Sequence, residues 1–223
     1  MVVCTSCHDP LPLEDDPIMN MAAKTDASST NGGKRTSPPS QLLLFARNFL
    51  KHPNKIGWFL PSSSFVVDEV LKQIDWPNTK LIVEYGPGVG TFTHDILARM
   101  RPDAKLVAFE TNDDFFEYLS GALQDPRFQL LHESATEVEV ALKRLGLPAA
   151  DYVISGIPFK TIPEELRGEI VRKTHSALRP DGRFLVYQLS SAVRPYLQRV
   201  FSRVHEDFEL LNILPARLFY CAR

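Results

Sequence analysis

The chain lacks what several protein classes require. No run of about 20 apolar residues occurs in it, so no membrane-spanning helix is expected. Its first residues show no basic segment followed by an apolar one, so no secretory signal is expected either. Three cysteines among 223 residues are too few for a disulfide framework, and a cytoplasmic location fits best. Lysine and arginine total 25 against 27 aspartates and glutamates, a balance that gives no global reason to expect nucleic-acid binding. Cys4-Thr5-Ser6-Cys7-His8 has the C-x-x-C-H spacing of haem attachment. Without an export segment or further ligands it reads as part of a tail, and no metal is expected.

What is present has clear organisation. Residues 1–40 read as a flexible tail, with five prolines and a Ser/Thr/Asn/Gly stretch over 26–40 that offers little apolar surface to offset ordering. Residues 41–223 read as one domain. The first helix is expected over 41–51, with Leu42, Phe45, Ala46, Phe49 and Leu50 in one stripe, broken by Pro53 and Asn54. Pro61-Ser62-Ser63 then caps a helix carrying Val66, Val67, Val70, Leu71 and Ile74. Short apolar strands follow over 80–84, 105–110, 128–132, 151–155 and 183–189. They alternate with helical patterns over 91–100, 113–123, 135–145, 163–178 and 192–201. That alternation predicts an α/β fold with a mostly parallel sheet covered on both faces. The end differs, because 208–213 and 217–221, about a turn at Pro215, read as a closing hairpin.

The most informative stretch is Glu84-Tyr85-Gly86-Pro87-Gly88-Val89-Gly90-Thr91-Phe92-Thr93, which follows the apolar run Leu81-Ile82-Val83. A strand, a glycine loop and a helix start let backbone N–H groups approach a ligand closely. The spacing is E-x-G-x-G-x-G, not the G-x-G-x-x-G of dinucleotide sites. A carboxylate just before the first glycine repels a pyrophosphate and suits a cofactor with an ammonium group. Glu110 ends the second strand, 20 residues after Gly90, where an acid can hold both hydroxyls of a ribose.

The stretch resembles motif I of the class I methyltransferases, which bind S-adenosylmethionine. The resemblance implies a Rossmann-like, seven-stranded sheet whose last strand runs antiparallel. It assigns Glu84, Tyr85, Gly86, Pro87, Gly88, Gly90 and Thr91 to the methionine portion, and Glu110 with Thr111 to the ribose. After the third strand the chain has Glu133-Ser134-Ala135, where either Glu133 or the Ser134 hydroxyl would accept from the adenine amine.

The fourth strand runs into Ser155-Gly156-Ile157-Pro158-Phe159, the position from which enzymes of this fold address the nucleophile. Adenine-N6 enzymes carry an asparagine or aspartate there; this chain has neither. Ser-Gly-Ile-Pro-Phe resembles the S-G-L-P-[F/L] of bacterial phospholipid N-methyltransferases, which act on phosphatidylethanolamine towards phosphatidylcholine. Residues 84–93 and 57–63 are similar to stretches of that family, and the likeness covers about 41–223. It implies an N-methyltransferase of a lipid amine, with Ser155, Gly156, Pro158, Phe159, Tyr187 and Arg194 at the acceptor site. Ser155 also belongs to the cofactor-binding set, and Arg194 is a phosphate partner. Tyr187, His132 and Glu133 are candidate proton acceptors, with the Gly156 carbonyl orienting the amine. Phe159 and Tyr187 are candidates to surround a methylated ammonium. Another amino lipid, such as an ornithine lipid, is an alternative substrate. So is the ribosomal RNA adenine, since the adenine-N6 dimethyltransferases share motif I.

One further absence points the same way. Between residues 27 and 67 there is no aspartate or glutamate, while Lys34, Arg35, Arg47, Lys51 and Lys55 accompany Leu42, Leu43, Leu44, Phe45, Phe49, Leu50, Trp58 and Phe59. A basic, aromatic-rich amphipathic segment is suited to an anionic lipid surface. Residues 41–60 are therefore expected to dock a monomer on the inner face of a membrane, or else to close over the domain as a lid.

Overall fold

The computed structural model describes residues 64–209 and 216–223. The expected tail, the Cys4–His8 motif and the amphipathic segment over 41–60 lie outside the described residues. The elements run in the order α1 (Ser64–Leu71), β1 (Leu81–Tyr85), α2 (Thr91–Arg99), β2 (Lys105–Phe109), α3 (Asp113–Ala122), β3 (Phe128–Leu131), α4 (Val138–Arg144), β4 (Ala150–Ser155), α5 (Glu164–Ala177), β5 (Leu178–Gln188), α6 (Arg194–Val200), β6 (Arg203–Glu209) and β7 (Ala216–Ala222). Short 3₁₀ turns at Ala135–Glu137 and Phe159–Thr161 precede α4 and α5.

The strands form one sheet in the order β3-β2-β1-β4-β5-β7-β6. Strands β1 to β5 pair in parallel, and β7 runs antiparallel between β5 and β6. Every residue of the central strand β1 is buried, as expected where helices cover both faces. Side-chain alternation divides the core. Ile82, Leu106 and Ile154 meet α1 and α2 through Val66, Val70, Phe92 and Ile96. On the other face Val83, Val153 and Phe184 meet α4, α5 and α6 through Val138, Ile170, Val171 and Leu197. Cys221 packs in that second cluster, and burial pushes its thiol well above the ordinary range.

Two boundaries differ from the sequence expectation. Strand β5 begins at Leu178, because Leu178 pairs with Ala150 before the chain loops out and resumes pairing at Arg183 with Tyr152. The turn-rich Arg179-Pro180-Asp181-Gly182 hides that early pair in the sequence. The first arm of the hairpin begins at Arg203, five residues before the expected 208, and is described to Glu209; the rest of the expected 208–213 and the turn at Pro215 lie outside the described residues. The arm's alternation of charged residues is that of an edge strand with one wet face, so it lacks the apolar run that signals a buried strand.

The chain reverses strand order between β1 and β4, and the carboxyl ends of those strands are where α/β sheets of this kind hold ligands. The opposite end is clamped by Asp151. Its Oδ2 accepts from the Lys80 and Leu81 N–H groups, both at 2.8 Å, and its Oδ1 pairs with Arg179 at 2.6 Å. Replacing Asp151 by alanine strands two backbone donors, one of them buried, and is expected to cost about 2–4 kcal/mol in urea unfolding. Cofactor affinity should change little, because the clamp lies at the far end of β4. A loss below about 0.5 kcal/mol would contradict this role.

Candidate active site

Three strand ends converge on the β1–α2 loop. Gly86 N–H donates to the Phe109 carbonyl at 2.9 Å, and Gly156 N–H donates to the Tyr85 carbonyl at 3.0 Å. The loop is thereby tied to β2 on one side and to β4 on the other. Gly86, Gly88 and Gly90 have φ of 68°, 57° and 82°, the left-handed region that side chains with a Cβ avoid. Close approach adds to this at two of them. A Cβ on Gly86 would stand 2.9 Å from Ile157 Cγ2, and one on Gly90 would stand 2.7 Å from Leu119 Cδ1. A Cβ on Gly88 would have no atom within 4 Å, so this glycine borders open space.

Two acids lie beneath the loop. Glu84 is buried and accepts from Thr93 Oγ1 at 2.8 Å through Oε2; its Oε1 has no hydrogen-bond partner. Burial raises its pKa to about 8, with the Thr93 hydrogen bond opposing and the nearby Glu110 charge adding. Glu110 is also buried and accepts from three backbone donors. Gly88 N–H reaches Oε2 at 3.1 Å, and the Thr111 and Asn112 N–H groups reach Oε1 at 2.9 Å each. Burial still holds its pKa above the usual carboxylate range. Asn112 in turn caps α3 by accepting from Phe115 N–H at 3.0 Å. Glu110 thus fixes both loops while keeping lone-pair capacity for a hydroxyl group.

The expected residues fall into different roles. Pro87 shapes the loop by accepting from Gly90 N–H at 2.9 Å, and Thr91 opens α2. The Tyr85 side chain is a correction: it points into the core, edge-on to Phe109 and Phe184 at 5.7 and 6.3 Å, with its hydroxyl 3.2 Å from Thr174 Oγ1. Only its carbonyl serves the site, by holding Gly156. Beyond β3, Arg144 engages Glu133 at 2.6 Å, and Ser134 accepts from Thr136 N–H and Oγ1 at 3.2 and 2.9 Å. Buried Ala135 opens the turn behind them. His132 stacks on Phe116 at 4.6 Å and faces Asp113 at 3.1 Å.

At the end of β4, Ser155 is fully buried and its Oγ has no partner. Pro158 leads the 3₁₀ turn. Phe159 is a second correction, since its ring is wholly buried in the cluster under α5 and does not border the site. Tyr187 arrives from β5, stacked on Phe92 at 4.2 Å with 14° between the rings. Arg194 is the third correction. Its guanidinium pairs with Glu206 on β6, which also holds Arg217 at 2.7 Å. Strand β6 lies two strand spacings, roughly 10 Å, from β5 and its Tyr187, so the sheet edge, not the site, engages this arginine.

Four further residues border the site without being expected there: Phe92, which stacks on Tyr187, Thr93, which holds Glu84, Asn112, which caps α3, and Ile157, which lies against Gly86. Thr93 had a readable signal, since a hydroxyl in the first turn of the helix after the loop is directed back towards the strand end. Among the described residues no group of His, Cys, Asp and Glu side chains could hold a metal ion.

The arrangement fits a cofactor carrying an ammonium and a ribose. A buried, unpartnered carboxylate oxygen stands below a glycine loop that borders open space, and a second carboxylate stands at the next strand end. Solved structures share the fold. A precorrin-6y C5,15-methyltransferase from Geobacter metallireducens GS-15 aligns with TM-score 0.59 at 14% identity, over 72% of this chain and 90% of that one. Magnesium protoporphyrin IX methyltransferase from Synechocystis PCC 6803, solved with bound SAM, aligns with TM-score 0.54 at 10% identity, over 86% of each chain. In sequence, an ornithine lipid N-methyltransferase from Singulisphaera acidiphila is 29% identical over 180 residues, which is 80% of this chain and 94% of the relative. A ribosomal RNA small subunit methyltransferase A from Clostridium perfringens is 33% identical over 82 residues, and the match spans 34% of this chain and only 28% of that protein. The family model for ribosomal RNA adenine dimethylase matches residues 58–188, from before α1 to the end of β5. The chain belongs to the ribosomal RNA adenine dimethylase family and is an S-adenosylmethionine-dependent N-methyltransferase.

Proposed function

We propose that this methyltransferase acts on the amine of a membrane lipid head group, with an ornithine lipid as the first substrate to test. The observation that carries the choice is the length of the likeness: it runs over 94% of the ornithine lipid enzyme, against 28% of one ribosomal RNA small subunit methyltransferase A and 59% of another. The strand end after β4 supports it, because Gly156 stands where adenine-N6 enzymes have a side chain that accepts from the base. A second reading, phosphatidylethanolamine, is favoured by the Ser155-Gly156-Ile157-Pro158-Phe159 sequence.

When bound, S-adenosylmethionine supplies a methyl group activated by its sulfonium, so the protein mainly contributes proximity and alignment. Glu84 would hold the ammonium and Glu110 the ribose hydroxyls, and the glycines would let the backbone come close. An alkylammonium must lose a proton before it can attack. His132 and Glu133 are engaged by Asp113 and Arg144, so the proton leaves to solvent water, and Tyr187 and the Gly156 carbonyl orient the neutral amine. Residues 41–60 supply a basic, apolar contact with an anionic bilayer, which places a monomeric enzyme on the inner membrane face beside its substrate.

Methyl transfer by the purified protein tests the substrate. Vesicles with ornithine lipid, vesicles with phosphatidylethanolamine and an adenine-containing ribosomal RNA fragment are offered in parallel. Labelling of the ornithine lipid is expected, together with vesicle co-sedimentation that weakens with salt. Labelling of the RNA alone would overturn the reading.

A further inference from the structure

Gly156 has no positive φ to explain it, and the reason for a glycine there is spatial. A Cβ at this position would stand 2.2 Å from the Tyr187 hydroxyl oxygen, 2.6 Å from Cζ and 3.2 Å from Cε2. Any side chain at 156 and the phenol of Tyr187 therefore claim the same volume. The phenol has no easy retreat. Its ring lies against Phe92 at 4.2 Å, nearly parallel, and Phe92 is buried in the first turn of α2. The next residue, Thr93, holds Glu84.

We propose that Tyr187 is the residue that determines acceptor specificity, because its phenol occupies the place a side chain at 156 would take, and that Phe92 is the positioning residue that keeps it there. This rests on the assignment of the β4 end to the acceptor. A carboxamide projecting from the strand end can pair with the edge of a planar base. In this chain the polar atom at that place is a phenolic oxygen, delivered from the neighbouring strand at the tip of a rigid ring. One oxygen that can both accept and donate suits a tetrahedral alkyl amine, which offers N–H groups in several directions. It cannot reproduce the donor and acceptor pair a base edge needs. The exchange couples two positions 31 residues apart, so a change at one is tolerated only with a change at the other.

The test is a double-mutant cycle on the full chain, with methyl transfer to ornithine lipid vesicles and cofactor affinity measured side by side. Tyr187→Phe keeps the ring and the stack and removes one oxygen. It should raise KM for the lipid about tenfold or more with cofactor Kd within about threefold. Gly156→Ala should cost lipid turnover at least as much, because the phenol must leave its place. In a Tyr187→Leu background the same Gly156→Ala change should add almost nothing, since the disputed volume is then free. Phe92→Leu, which loses the stack, should raise the lipid KM while leaving cofactor Kd within about threefold. Losses that simply add in the cycle, or a Tyr187→Phe enzyme with unchanged lipid KM, would overturn the proposal. Absence of lipid methylation by the unaltered chain, with cofactor still bound, would instead refute the amino-lipid reading itself.

Discussion

Replacing Glu84 by glutamine is expected to weaken S-adenosylmethionine binding about tenfold to a hundredfold and to remove most of its pH dependence. In the free protein this carboxyl is buried and its pKa stands at about 8, so near neutrality it is mostly protonated. Its Oε1 waits without a partner. A cofactor ammonium satisfies that oxygen and favours the ionised form, so binding below about pH 8 releases a proton. Affinity of the unaltered enzyme should then rise with pH, approaching tenfold per unit at about pH 6 and levelling near about pH 8. The same shift works in the opposite direction on stability. Unfolded, the group titrates at its ordinary value of 4.5, so the folded free protein holds a proton that the unfolded chain gives up. That contribution is fully present below 4.5 and is lost as pH rises through about 8. Glu84→Gln should therefore make the free enzyme more stable in alkali while it binds cofactor poorly. Titration calorimetry and thermal unfolding across this range measure both. Identical, pH-independent affinities for the two proteins would remove Glu84 from the cofactor site.

The glycine loop predicts a separation of fold from binding. Gly90→Ala puts a Cβ 2.7 Å from Leu119 Cδ1 on a backbone with φ of 82°, so it should cost stability and binding together, with unfolding shifted by about 2–4 kcal/mol. Gly88→Ala meets no atom within 4 Å and carries only the backbone penalty, about 1–2 kcal/mol. Its methyl enters the open space beside Glu110, whose Oε2 the Gly88 N–H already engages. A folded enzyme with cofactor Kd raised about a hundredfold is the expected Gly88→Ala result. Folded protein that binds normally would show that the cofactor does not approach this glycine.

These two predictions draw on residues that a sequence can reveal. The loop, both acids and the alternating strands were legible because each has a local cause: positive φ demands glycine, strand ends gather ligand groups, and buried parallel strands are apolar throughout. What was hidden depends on partners distant in the chain. Tyr85 reads as a loop neighbour of Glu84, but alternation turns it to the other face, against Phe184 and Thr174. Phe159 sits beside Gly156 in sequence yet its ring closes the core under α5. Arg194 follows β5 as a phosphate ligand should, and only the arrival of β6 supplies Glu206 to engage it. The early start of the edge strand at Arg203 is hidden because its charges conceal its period. In the sequence Gly156 stands only as the absence of an asparagine, and its reason lies in Tyr187 and Phe92, which the fold brings against it.

The most direct measurement is lipid mass spectrometry of a methylation-deficient bacterium that expresses this chain. New mono-, di- or trimethylated ornithine lipid is the predicted result, and methylated phosphatidylethanolamine would keep the account and change the head group. A folded, cofactor-binding protein that leaves every lipid unmethylated while modifying ribosomal RNA adenine would contradict it.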